Sequence, residues 1–142
     1  MRLLFVDDDP ENVEGVARTL REALDADVIV AGTVEGAVSA LHRAPVDLVV
    51  TDIFIPMGTR PRDAMGPRAR RYAEQIEHLG GLVLLDEIDR VQPVPVVLAH
   101  TACVDPVLVE LLGERVHARV RKPAPFEVLL DAVLDALRNG RG

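Results

Sequence analysis

The chain is short of aromatic side chains, which make up 3% of it, and it has no tryptophan. Any core must therefore rest on Val, Leu, Ile and Ala. There is one cysteine, Cys103, so no internal disulfide can form, and a reducing cytosol is the simplest home. No apolar run approaches the roughly 18 residues of a membrane span. The opening "MRLLFVDDDP" has too short an apolar run for a secretion signal and meets acids at once. Positive charge is in deficit: the net charge of -7 speaks against a general binder of nucleic acid, whose phosphates want a basic surface. There is no internal repeat and no low-complexity tract. What remains is 142 residues with 49% apolar content, which suits one globular domain.

Short apolar runs alternate with helix-like stretches. "RLLFV" (2–6) reads as a buried strand. Asp9 then caps a helix with Pro10 at its first position, and Val13, Val16, Ala17, Leu20 and Leu24 keep helical spacing. "DVIVAG" (27–32) is a second strand, and Thr33 caps a helix that turns Val34, Ala37, Val38 and Leu41 inward. "VDLVVTD" (46–52) is apolar on both faces, as a central parallel strand should be. "VPVVLAHT" (94–101) is a fourth strand, followed by Asp105 and Pro106 as cap and first turn of a short helix. "HARVRK" (117–122) is a fifth, and "PFEVLLDAVLDALRNG" is a closing helix that ends at Gly140. Five such alternations predict an α/β domain, a parallel sheet with helices on both faces.

The run "LLFVDDDPENV" (3–13) sends four apolar residues straight into three aspartates. Carboxylates at the end of a buried strand repel one another and are costly to desolvate. In an open parallel sheet, ligands sit beyond the carboxyl ends of the strands. Asp7 and Asp8 end the first strand, Asp52 the third, Thr101 the fourth and Lys122 the fifth. Three carboxylates, a hydroxyl and an ammonium thus meet at one edge. Hard oxygen donors with room for water suit Mg²⁺, whose charge would hold the acids ionised. A lysine and a hydroxyl beside a metal-bound carboxylate make a phosphoryl site with Asp52 as nucleophile.

With "FVDDDP", "LVVTDIFIP", "VVLAHTA" and "VRKPAPF" in this order, the sequence resembles the receiver domains of two-component response regulators over nearly its whole length. The resemblance implies a flavodoxin-like, doubly wound, five-stranded parallel sheet of order 2-1-3-4-5, forming a single domain over residues 1–142. It implies that Asp52 is the phosphoacceptor and that Asp7 and Asp8 hold Mg²⁺, Asp8 more directly. The Phe54 backbone carbonyl would be a further ligand, Thr101 the switch hydroxyl, and Lys122 the partner of the phosphate, with a cis Lys122–Pro123 bond. The phosphoryl donor would be a histidine kinase or a histidine phosphotransfer protein. An output protein that the sequence does not name would read the state by protein–protein contact, with no direct nucleic-acid or membrane binding and with a homodimer left open. A cytoplasmic location goes with this.

Three departures qualify the resemblance. Residues 58–79 form a partly helical insertion between strand 3 and helix 3, carrying five arginines (Arg60, Arg62, Arg68, Arg70, Arg71) against Asp63, Glu74 and Glu77. It reads equally as a lid, a partner-binding element or a tolerated surface excursion. Arg119 stands three residues before Lys122, where the family often has an aromatic. The fourth helix is short. An atypical receiver acting as a phosphorylation-independent interaction module is therefore an alternative. A phosphatase on a similar sheet is a third reading, but two residues after Asp52 stands Phe54 rather than a second acid, so turnover of external substrates is not expected. No output domain follows the last helix, so either a stand-alone signalling protein or an excised domain is expected. His100 reads as a partly buried strand histidine, Cys103 as a small apolar rim residue, and Gly80–Gly81 as a helix break or a helix start.

Overall fold

Ten elements follow one another in a computed structural model that describes residues 1–56, 80–102, 105–113 and 115–139. They are β1 (Arg2–Val6), α1 (Pro10–Leu24), β2 (Asp27–Ala31), α2 (Val34–Arg43), β3 (Leu48–Thr51), α3 (Gly80–Ile88), β4 (Val96–Thr101), α4 (Pro106–Gly113), β5 (Ala118–Arg121) and α5 (Phe126–Asn139). The helix expected over residues 67–79, Cys103 and Gly140 lie outside the described residues. The five strands form one parallel sheet in the order β2-β1-β3-β4-β5, as expected from the resemblance.

β3, β4 and β5 start one or two residues later than the runs that announce them, whereas β1 and β2 start where the sequence puts them. Pro95 has no N–H to give, so the β4 ladder begins where the Val96 N–H meets the Asp47 carbonyl at 3.1 Å. Two caps read from the sequence are formed. The Thr33 hydroxyl accepts from the Gly36 N–H at 3.0 Å, and the Asp105 carboxylate accepts from the Val107 N–H at 2.9 Å.

Period-two alternation divides the strand residues between two cores. Leu4, Val6, Val49, Val97 and Ala99 face α2, α3 and α4. Leu3, Phe5, Leu48, Val50, Leu98 and Val120 face α1 and α5. Because β1, β3 and β4 are covered on both sides, they are apolar at nearly every position. Helix α3 is buried along its whole length, Asp86 and Glu87 included. No described helix is long and apolar enough to cross a membrane.

The start of α3 settles the role of Gly80–Gly81 as a helix start. The Gly80 N–H donates to the Ile55 carbonyl at 2.9 Å and the Gly81 N–H to the Ile53 carbonyl at 3.0 Å. Pro56 is tied in turn, its carbonyl accepting from the Val34 N–H at 3.0 Å. The chain therefore departs at Pro56 and returns at Gly80 on the same spot. Replacing residues 57–79 by a linker of about four residues should leave the fold in place, since loop-closure entropy depends only weakly on length. Circular dichroism and thermal melting of the shortened chain check this; loss of cooperative unfolding would show that the segment is part of the core.

Candidate functional site

The backbone ladder carries the site residues one step past the strand ends. Val6 pairs with Thr51 in register, so the residues that follow them, Asp7 and Asp52, stand level. The Asp7 N–H reaches the Ala31 carbonyl at 3.0 Å, and the Asp52 N–H reaches the Val6 carbonyl at 3.1 Å. On the other side Thr101 pairs with Arg121, and the Lys122 N–H reaches the Thr101 carbonyl at 3.0 Å. The backbones of Asp7, Asp52, Thr101 and Lys122 are thus held by main-chain bonds.

The Lys122 ammonium lies between two carboxylates. Its Nζ donates to Asp52 Oδ2 at 2.9 Å and to Asp7 Oδ2 at 2.5 Å. Asp7 and Asp52 are buried, and Thr101 is wholly buried. The Asp52 carboxylate also accepts from the Thr101 hydroxyl and, at 3.2 Å, from the Phe54 N–H. Asp7 Oδ1 accepts from the Asp9 N–H at 3.0 Å. Asp8 is exposed, and Phe54 is 40% exposed. The Lys122–Pro123 peptide is cis.

Burial pushes the Asp52 carboxyl up, but the hydrogen bonds from Thr101 and Lys122, the lysine charge and the Phe54 N–H outweigh it and hold the group below its ordinary value. Burial alone would lower Lys122; its hydrogen bonds to Asp7 and Asp52 and their charges raise it instead. Both groups are therefore charged at neutral pH. His100 is buried on the α1/α5 face, with its ring edge-on to Phe5 at 6.2 Å. Burial first, and the Lys122 charge second, depress its pKa, which keeps the ring neutral. The histidine is thus a core residue, more deeply buried than its place in the sequence suggested.

The donor set fits a hard cation. Asp7, Asp8 and Asp52 bring three formal negative charges against the one positive charge of Lys122. Among the described residues no three His, Cys, Asp or Glu side chains form a cage close enough to hold a metal by themselves. Mg²⁺ does not ask for one: it keeps several waters and takes one or two carboxylates, to which a carbonyl such as that of Phe54 can be added.

Comparison with solved structures places the fold. The chain is similar to the signal receiver domain of a LuxO-type repressor protein from Vibrio parahaemolyticus, at 18% identity and a TM-score of 0.74, over 99% of this chain and 92% of that one. It is similar to a response regulator receiver domain protein from Clostridium thermocellum, at 20% identity and a TM-score of 0.72, over 99% and 96%. A third likeness, at 19% identity and a TM-score of 0.68 over 96% and 95%, is the receiver domain of a sensor histidine kinase from Pseudomonas aeruginosa PAO1, which has magnesium in its active-site cleft. The chain has the receiver fold. No protein-family model matches it, and no curated protein matches it in sequence.

Within that fold, two contributions were not legible beforehand: the second bond of Lys122, to Asp7, and the Phe54 N–H on Asp52. Neither leaves a mark in the order of residue types. Arg119, at the position where an aromatic was awaited, is exposed.

The charge arrangement has a pH signature. Asp52, with its lowered folded pKa, contributes stability that is complete above the unfolded carboxylate value of about 3.9 and is lost as pH falls through the folded value. Removing the ammonium in Lys122→Met leaves Asp52 buried beside a second carboxylate with no cation between them, which raises its pKa. Urea unfolding in metal-free buffer should show this variant gaining stability from pH 7 to pH 5, while the parent does not. Parallel curves for the two proteins would count against the shared ion pair.

Proposed function

We propose that this chain is a response-regulator receiver that accepts a phosphoryl group on Asp52. The observation that carries the reading is the buried Asp52 carboxylate, held ionised by the Lys122 ammonium and the Thr101 hydroxyl beside the acids of β1. An ionised carboxylate is the nucleophile such a transfer needs. A histidine kinase or a histidine phosphotransfer protein is the donor. The P–N bond of its phosphohistidine breaks, a P–O bond forms at an Asp52 oxygen, and the released imidazole takes its proton from solvent.

Each neighbour has a role in this reading. Lys122 shifts from the carboxylate to the incoming phosphoryl oxygens, an ammonium already at the site and oriented for them. Thr101, one strand away, turns its hydroxyl to the same oxygens and carries the change into β4. Asp7, Asp8, Asp52 and the Phe54 carbonyl hold Mg²⁺, whose charge offsets that of the phosphoryl group. Turnover of external substrates is not part of the reading, because Phe54 supplies no general acid. The surroundings are cytoplasmic and the output is contact with another protein.

A second reading follows from Arg119. With an exposed arginine in place of an aromatic, the usual rotamer switch is absent from β5, and the chain acts as a phosphorylation-independent interaction module. Residues 58–79 would then be the partner-binding element.

Intact mass after incubation with acetyl phosphate and Mg²⁺ separates the two. The receiver reading expects a gain of one phosphoryl group that vanishes in Asp52→Ala and on chelation of Mg²⁺. A folded, unmodified parent chain sinks the receiver reading and leaves the module. If the parent is modified, its partner affinity before and after phosphorylation decides between them.

A further inference from the structure

Two adjacent glycines opening a helix call for an explanation, since each costs helix stability relative to alanine. At Gly80 and Gly81 the cause is contact with backbone. A Cβ on Gly81 would stand 2.5 Å from the Asp52 carbonyl oxygen and 2.6 Å from Ile53 Cα. A Cβ on Gly80 would meet the Ile55 carbonyl oxygen and would come within 2.6 Å of Val34 Cγ2. Main-chain atoms of a buried, hydrogen-bonded turn cannot step aside as a side-chain tip can. By contrast, a Cβ on Gly15 would meet nothing within 4 Å.

The seat does more than allow close packing. The Gly81 N–H, one of the four donors that the start of any helix leaves without an intrahelical partner, goes to the Ile53 carbonyl. That same carbonyl accepts from the Ile55 N–H at 3.0 Å, closing a tight turn over residues 53–55. The turn holds Phe54 so that its N–H reaches Asp52 Oδ1. The Asp52 carbonyl is fixed as well, by the Thr51 hydroxyl at 2.9 Å and by its contact with Gly81. The first turn of α3 thus grips the backbone on either side of the acceptor residue.

We propose that Gly81, supported by Gly80, is a positioning residue for the phosphoacceptor loop: it sets the Asp52 carboxylate and the Phe54 main chain relative to each other. The proposal rests on the receiver reading. Gly81 touches neither phosphoryl donor nor metal; it acts through Ile53 and Asp52.

The test is phosphorylation of the full chain by acetyl phosphate, followed by intact mass across a range of Mg²⁺ concentrations. Gly81→Ala should lower the rate at saturating Mg²⁺ by about a hundredfold, as misplacement by about 1 Å can. It should also raise the Mg²⁺ concentration for half-maximal rate, because the Phe54 carbonyl moves with the turn. Gly15→Ala should stay within about twofold of the parent, since its Cβ points into open space. Leu85→Ala, further along α3, serves as a control that loses melting temperature without touching the turn. If Leu85→Ala loses rate and Mg²⁺ dependence in proportion to its loss of melting temperature, and Gly81→Ala falls on the same line, the role is purely structural and the proposal is wrong. Should Gly81→Ala fail to fold, hydrogen exchange on the parent decides. The Gly81 amide should change its protection when Mg²⁺ and acetyl phosphate are added, and an unchanged rate overturns the proposal. A parent chain that takes no phosphoryl group at all fails at the receiver reading itself, a result distinct from a phosphorylated parent with an indifferent Gly81→Ala.

Discussion

Two buried carboxylates, Asp7 and Asp52, share the Lys122 ammonium at the carboxyl edge of the sheet. Most of the arrangement around them follows from that sharing. Two unpaired carboxylates this deeply buried would repel each other and rise in pKa until one took up a proton. A single cation between them holds Asp52 ionised, but one positive charge does not balance two carboxylates, and Asp8 beside them adds a further acid. The site is thus left attractive to a further cation while the Asp52 carboxylate stays deprotonated. Supplying the ammonium requires β5 to lie two strands from β3, with β4 between them, which is where the order β2-β1-β3-β4-β5 puts it.

Precision in the site comes from backbone more than from side chains. Parallel ladders continue one residue beyond β1, β3 and β5, so Asp7, Asp52 and Lys122 inherit the register of the sheet. The turn after Asp52 is then clamped from the other direction by the start of α3. Because Ile55 and Gly80 are bonded to each other, the intervening segment begins and ends at this clamp. A segment joined at such a point can vary in sequence with little effect on the sheet, and its two ends lie one turn from the candidate acceptor.

The readout differs from the chemistry in how far it departs from the resemblance. Asp7, Asp52, Thr101 and Lys122 meet at the strand ends as expected from the order of residues. On β5, Arg119 and Arg121 alternate with the buried Val120, and both are exposed. An exposed guanidinium has no core position to move into, whereas an aromatic ring can be either buried or displayed. Whatever surface change follows from the site must therefore be expressed differently on this strand.

Most of the architecture was legible in the sequence because it is written in periodicity. Alternation of short apolar runs with helical spacing yields strands and helices, and the polar residues that end the runs, Asp7, Asp52, Thr101 and Lys122, had to fall on one edge once the strands were parallel. Caps at Thr33 and Asp105 were legible for the same local reason. The starts of β1 and β2 were legible, but those of β3, β4 and β5 were read one or two residues early, since an apolar run does not reveal where the ladder begins; the missing N–H of Pro95 and the bond from the Val96 N–H to Asp47 decide that at β4. Which residues gather at this edge was thus determined by the sequence alone, as a matter of which residue types end which strands. Its geometry was decided only in three dimensions. The second bond of Lys122, the Phe54 N–H on Asp52 and the seat of Gly81 against Asp52 join residues separated in sequence or exposed by a turn, and contacts of that kind depend on how the sheet and α3 pack.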